Sequence, residues 1–142
     1  MTDRVYDLLT APRHTSAKIK AKRRQRAERL AGLLPGAIRY DLPRVQSSPK
    51  DQMSEAMGAI DRYDDQIELL REVLRYQRRE IIDTTAKLQN KKAAQCLVLH
   101  YVKGLQWSDV ARAVHKSEST VFRWQREAVA ELDDILSTQN AD

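Results

Sequence analysis

The chain has 142 residues, 42% hydrophobic and 32% charged, with only four Gly and four Pro and a formal net charge of +5. That length fits one domain, or one small domain with an extended element, and the scarcity of turn formers points to helices. No apolar run nears membrane-spanning length and no charged-then-apolar leader opens the chain, so a cytosolic protein with no membrane partner is expected.

In chain order, residues 1–12 offer a short apolar patch, Val5, Tyr6, Leu8 and Leu9, closed by Pro12. A basic helix is expected from Thr15 or Ser16 to about Leu34, stopped by Pro35-Gly36. It carries Lys18, Lys20, Lys22, Arg23, Arg24, Arg26 and Arg29. Residues 1–50 hold twelve Lys/Arg against four Asp/Glu, residues 51–92 eight against nine, and residues 93–142 five against seven. The positive excess therefore lies wholly in the first third. The stretch Pro35 to Pro49 reads as a connector, and Ser48-Pro49 as a helix start: a capping oxygen followed by a residue with no N–H to leave unpaired.

From there a helix is expected to about Asn90. Met53, Ile60, Ile67, Leu74, Ile81 and Leu88 recur at a spacing of seven, with Ala56, Tyr63 and Leu70 as companions three residues on, until Gln77 and Thr84 turn the seam polar. A heptad sustained over ~40 residues and ~60 Å reads as a coiled-coil helix. Ile60, Ile67, Leu70, Leu74 and Ile81 are then candidates for self-association, a homodimer being favoured. Asp61, Asp65, Glu68 and Glu72 form an acidic stripe beside the seam. The basic block can pair with it as an antiparallel hairpin, or Lys22, Arg23, Arg24 and Arg26 can serve as an arm on nucleic-acid phosphates. Both readings stand on the residues alone.

Residues 91–103 form the next helix, with Ala94, Leu97, Val98 and Tyr101 on one face. Gly104 ends it, where a left-handed residue costs least without a Cβ. The following stretch, Leu105 to Trp124, reads as two short helices joined by a tight turn. Val110, Ala111 and Val114 make the apolar face of the first, and Ala111 is small where the second must cross. Gln106 is a poorer cap than Ser or Thr, and His115 stands where many such turns carry glycine. Ser117 caps the second helix, Val121 and Trp124 face back toward the first, and Glu118, Ser119, Phe122, Arg123 and Arg126 point outward. A helix-turn-helix presents its second helix to the major groove in this way, and Glu, Ser and Arg carry donors and acceptors that read base edges. The last helix continues through Ala128, Val129, Leu132, Ile135 and Leu136.

The pattern Tyr101-Val102-x-Gly104-Leu105-x-Trp107-x-x-Val110-Ala111, then Ser117-x-Ser119-Thr120-Val121 and a long helix, resembles region 4 of bacterial sigma-70-type factors. The whole layout is similar to phage late-gene regulators of the ArpU/RinA type, most specifically over residues 92–136 and more weakly over Asp41 to Ser48 and the helix after it. That resemblance implies a transcription activator of phage or prophage late operons that binds double-stranded DNA beside bacterial RNA polymerase and has no enzymatic activity. It gives Ser117 the cap and a phosphate contact, with Lys116 beside it, and places Glu118, Ser119, Thr120, Phe122, Arg123 and Arg126 at the DNA.

Catalytic chemistry finds little purchase. Cys96 and His100 share a helix face at i,i+4, but there is no second cysteine and no Gly-rich phosphate loop, so Cys96 reads as a buried helix residue. No enzyme, cofactor, metal or small-molecule substrate is expected. The expected architecture is all-α: a basic N-terminal segment and connector (1–48), a long coiled-coil-like helix forming a hairpin with the basic helix (49–90), and a small helix-turn-helix domain (91–142). Two other functions fit the same layout. One is a packaging protein resembling a phage terminase small subunit, and the other a polymerase-binding adaptor without DNA readout, which the mildly acidic last third favours.

Overall fold

A computed structural model describes residues 2–33 and 49–139. Five α-helices and one π-helical turn make up their regular structure, with no strand among the described residues, so the fold is all-α. The helices are α1 (Asp3–Ala31), α2 (Pro49–Thr85), α3 (Lys91–Leu97) continued by the π-helical turn Val98–Val102, α4 (Trp107–Ala113) and α5 (Glu118–Gln139). The connector expected from Pro35 onward, with the Ser48 cap and the stretch from Asp41, falls outside the described residues. Among the described residues, no helix is long and apolar enough to cross a membrane.

The chain divides into two compact units, residues 15–73 and residues 1–14 with 74–142. In the first, Ile19 of α1 and Ala56, Ile60 and Ile67 of α2 are buried. In the second, Val5 and Leu9 of α1 pack with Ile81, Leu88, Leu97, Ala128, Val129 and Leu132. The heptad seam of α2 is thus closed inside a single chain. Ile60, Ile67, Leu74 and Ile81 are all buried without a second copy, and Leu70 is half-buried. Ile60, Ile67, Leu74 and Ile81 are therefore core residues of the single chain, where self-association had been expected of them. Met53, the first seam position, is exposed.

Two boundaries differ from expectation. The first helix does not break at Pro12 but runs through it. A proline inside a helix forfeits one backbone hydrogen bond and crowds the carbonyl four residues back, costing about 3 kcal/mol. Val5 and Leu9, one helical turn apart and 0% and 1% exposed, offset that cost, since full burial of such side chains contributes ~1.5–3 kcal/mol each. The second difference is that α2 stops at Thr85 and not near Asn90. Leu88 N–H donates to the Thr85 carbonyl at 3.0 Å, Lys91 Nζ donates to the Ala86 and Leu88 carbonyls at 2.6 and 2.9 Å, and Leu88 stays buried in the turn. Asn90 then caps α3, its side-chain oxygen accepting from the N–H groups of Lys92 and Ala93.

Candidate nucleic-acid interface

The candidate site is built from the end of α3 to the middle of α5. The π-helical turn closes with Lys103 N–H donating to the Val98 carbonyl at 3.1 Å, and Gly104, at φ 78°, reverses the chain so that Leu105 N–H reaches the Leu99 carbonyl at 3.0 Å. The left-handed conformation expected of Gly104 is present. Gln106 precedes α4 in extended conformation and makes no side-chain cap. Trp107 opens α4 and stacks on His100 with ring centroids 4.0 Å apart, while Tyr101 meets it edge-on. Sequence reasoning did not find this stack, because nothing local distinguishes a π-helical turn from the α-helix it continues.

The turn between α4 and α5 is a Schellman motif. Lys116 N–H donates to the Ala111 carbonyl at 3.0 Å and His115 N–H to the Arg112 carbonyl at 3.2 Å, with His115 itself at φ 57°. These bonds satisfy carbonyls that the end of α4 would otherwise leave open. His115 accepts the backbone that glycine takes more easily, as its position in the sequence required. Ser117 Oγ then accepts from Thr120 N–H at 3.3 Å and lies 3.0 Å from Thr120 Oγ1, so the expected N-cap is formed.

Packing behind the turn fixes the rotation of α5. Cys96, Val110, Ala111, Val114 and Val121 form one buried cluster, with Trp107 and Trp124 packed against it. With Val121 anchored there, Glu118, Ser119, Phe122, Arg123 and Arg126 are exposed and Thr120 is half-buried. The outward set expected from helical spacing is therefore the exposed set. Phe122 also leans on Trp107, ring centroids 5.9 Å apart, which braces the outer face of α5. Beside it, an open cleft between the turn and the start of α5 is lined by Arg112, His115, Lys116, Ser117 and Glu118.

The basic residues of α1 belong to the other unit. There Lys22 Nζ lies 5.9 Å from the Tyr63 ring centroid, and Arg26 Nε forms a 2.6 Å ion pair with Asp64. Lys22 and Arg26 are therefore half-buried against α2, whereas Arg23 and Arg24 are exposed. Both thus lie against α2, as the hairpin reading expects, with Asp64 as a partner of Arg26 and the Tyr63 ring as that of Lys22.

Behind the turn, Cys96 is buried and His100 and Tyr101 are half-buried. Burial raises the Cys96 thiol above its ordinary value, which keeps it protonated, and burial likewise raises the Tyr101 phenol. His100 is held below its ordinary 6.5, first by burial and further by the Arg13 charge, although its ring nitrogen Nδ1 bonds the Leu105 carbonyl at 2.7 Å. The unfolded chain then binds more protons than the folded one as pH drops below that ordinary value, so stability falls on the acid side. His100→Gln is expected to flatten this acid loss in denaturation midpoints compared between neutral and mildly acidic buffer. A variant as acid-sensitive as the wild type would assign the loss to other groups. Among the described residues there is no grouping of His, Cys, Asp and Glu able to hold a metal ion.

No curated protein and no solved structure matches this chain. A family model does match, over residues 44–134, and its description is "Protein of unknown function (DUF722)". The match takes in all of α2, α3 and α4 and most of α5, well over half of the chain. The long helix and the helix-turn-helix are thus matched as one stretch, and the protein belongs to the DUF722 family.

Proposed function

We propose that the protein is a sequence-specific transcriptional regulator that reads double-stranded DNA with the first turns of α5. Its setting is the cytosol of a bacterial host, where it activates phage or prophage late genes beside RNA polymerase and performs no catalysis. One observation carries this reading. The Ser117-capped helix is held against α4 through Val121, and it leaves Glu118, Ser119, Phe122, Arg123 and Arg126 on one exposed face. A recognition helix needs a rigid back and a front rich in donors and acceptors. The neighbouring cleft holds Lys116 and His115 beside Glu118, with Arg112 paired to Asp109 at 3.8 Å, and Lys116 there suits a phosphate next to the groove.

Electrostatics set the strength. Residues 93–142 hold five Lys/Arg against seven Asp/Glu, so the helix-turn-helix attracts DNA only modestly by charge. Lys18, Lys20, Arg23, Arg24 and Arg29 of α1 are exposed and supply the non-specific phosphate attraction, with Lys22 and Arg26 largely occupied by α2. The acidic balance of the last third also favours a second reading, an adaptor that touches polymerase and reads no sequence.

Selection of binding sites from a random duplex library separates the two. The wild type is expected to enrich a motif, and Arg123→Ala to lose preference at one base pair by about 1–3 kcal/mol, the worth of a bidentate arginine–guanine contact. Salt-sensitive retention with no motif would overturn DNA readout and favour the adaptor. An unchanged motif in Arg123→Ala would move the contact to another residue of the exposed face.

A further inference from the structure

We infer that α2 carries a second, outer heptad seam and that its occupant is the same seam of a second copy of this chain, paired antiparallel. The inner seam is filled within the chain, yet α2 also exposes Leu69, Val73 and Tyr76 at 63%, 45% and 70%. These three follow one another at intervals of four and three, the spacing that keeps residues on one helical face. Continuing the same alternation along this 37-residue helix adds Gln66 and Arg62 on one side, and Glu80 and Asp83 on the other. All four are exposed. A row of large apolar side chains in water is costly to leave open, and self-association through it is the usual remedy.

The charges along the seam choose the partner and its direction. Arg62 lies at one end, and Glu80 and Asp83 at the other. Parallel copies would stack Arg62 on Arg62 and Glu80 on Glu80, placing like charges together at both ends. In the antiparallel arrangement, a two-fold axis at the level of residue 71 sets Leu69 opposite Val73, Gln66 opposite Tyr76 and Arg62 opposite Glu80. A single register satisfies all three pairs, and the symmetry makes each of them twice. Such a self-complementary patch is the signature of an isologous dimer. The Gln66 amide then meets the Tyr76 hydroxyl, and the two Arg62–Glu80 pairs close the apolar centre at both ends, where opposite charges fix register. The dimer does not depend on DNA readout, although with it each assembly would hold two reading helices.

The test is sedimentation of the full chain over a concentration series, with far-UV circular dichroism on each variant to establish that it is folded. The wild type is expected to dimerise, and Val73→Glu to be a folded monomer at concentrations where the wild type is a dimer. Arg62→Glu should weaken the dimer by about tenfold, and Arg62→Glu combined with Glu80→Arg in the same chain should restore it. A wild type that is monomeric throughout, a ring-sized oligomer, or a dimer indifferent to Val73→Glu would overturn the proposal. A charge swap that fails to restore the dimer would overturn the antiparallel register. Site selection on the Val73→Glu monomer keeps the two ideas apart: a retained half-site motif means that DNA readout survives whatever becomes of the dimer.

Discussion

Leu9→Ala is expected to destabilise the protein by about 2–5 kcal/mol, the range for emptying a fully buried leucine site. Leu9 lies near the start of the chain, where truncation is often harmless, but it is 1% exposed and packs with Ile81, Leu88, Leu97 and Leu132 in the core under α5. Deleting its side chain removes apolar burial and leaves a cavity among side chains drawn from α2, α3 and α5. Those helices cannot all move inward at once, so the loss should fall in the upper half of the range. Asp7→Ala, two residues earlier and exposed, should change stability by less than about 0.5 kcal/mol. Denaturant midpoints for the two variants decide the matter. A loss below about 1 kcal/mol for Leu9→Ala would mean that the N-terminal turns of α1 are dispensable to the unit that carries the helix-turn-helix.

That N-terminal contribution was half legible in the sequence. The apolar patch Val5 to Leu9 was evident, but Pro12 suggested an ending, because a proline's local cost is visible in sequence whereas the core that offsets it is made of residues about seventy and more positions away. The same reason explains the seam of α2. A period of seven marks a buried face and not what buries it, so Ile60, Ile67, Leu74 and Ile81 were equally consistent with a second chain and with the chain's own helices. The turn of the candidate site was far more legible. Gly104 and Ser117 each act within a few residues, through a left-handed backbone and a side-chain cap, and both appear as expected. The phase of α5 was legible too, since Val121 and Trp124 share a face by spacing alone. What spacing could not supply was the His100–Trp107 stack, which depends on a π-helical turn, or the choice of Asp64 as the partner of Arg26. Local rules were readable wherever the determining atoms lie within one or two turns, and the rest was settled by packing.

Val121→Asp is expected to cost about 3–5 kcal/mol, the range for a buried charge left without a partner. Val121 is 0% exposed, and its neighbours Val110, Ala111, Val114 and Cys96 offer a new carboxylate no cationic partner. Water reaches that position only if α5 lifts from α4, so the variant either protonates its carboxyl or gives up the crossing of the two helices. Ser119→Asp places the same side chain two residues earlier, on the exposed face and in the first turn of α5. An acid there faces the positive end of the helix dipole and should be neutral or stabilising by about 0.3–1 kcal/mol. Far-UV circular dichroism and denaturant unfolding of both variants, with DNA retention measured in parallel, make the comparison complete. Loss of retention in Val121→Asp together with loss of fold, against altered retention in Ser119→Asp with the fold intact, places one residue behind the reading surface and the other upon it. Equal destabilisation by the two would mean that α5 is rotated from the phase argued above, and the exposed set Glu118, Ser119, Phe122, Arg123 and Arg126 would have to be replaced by its neighbours.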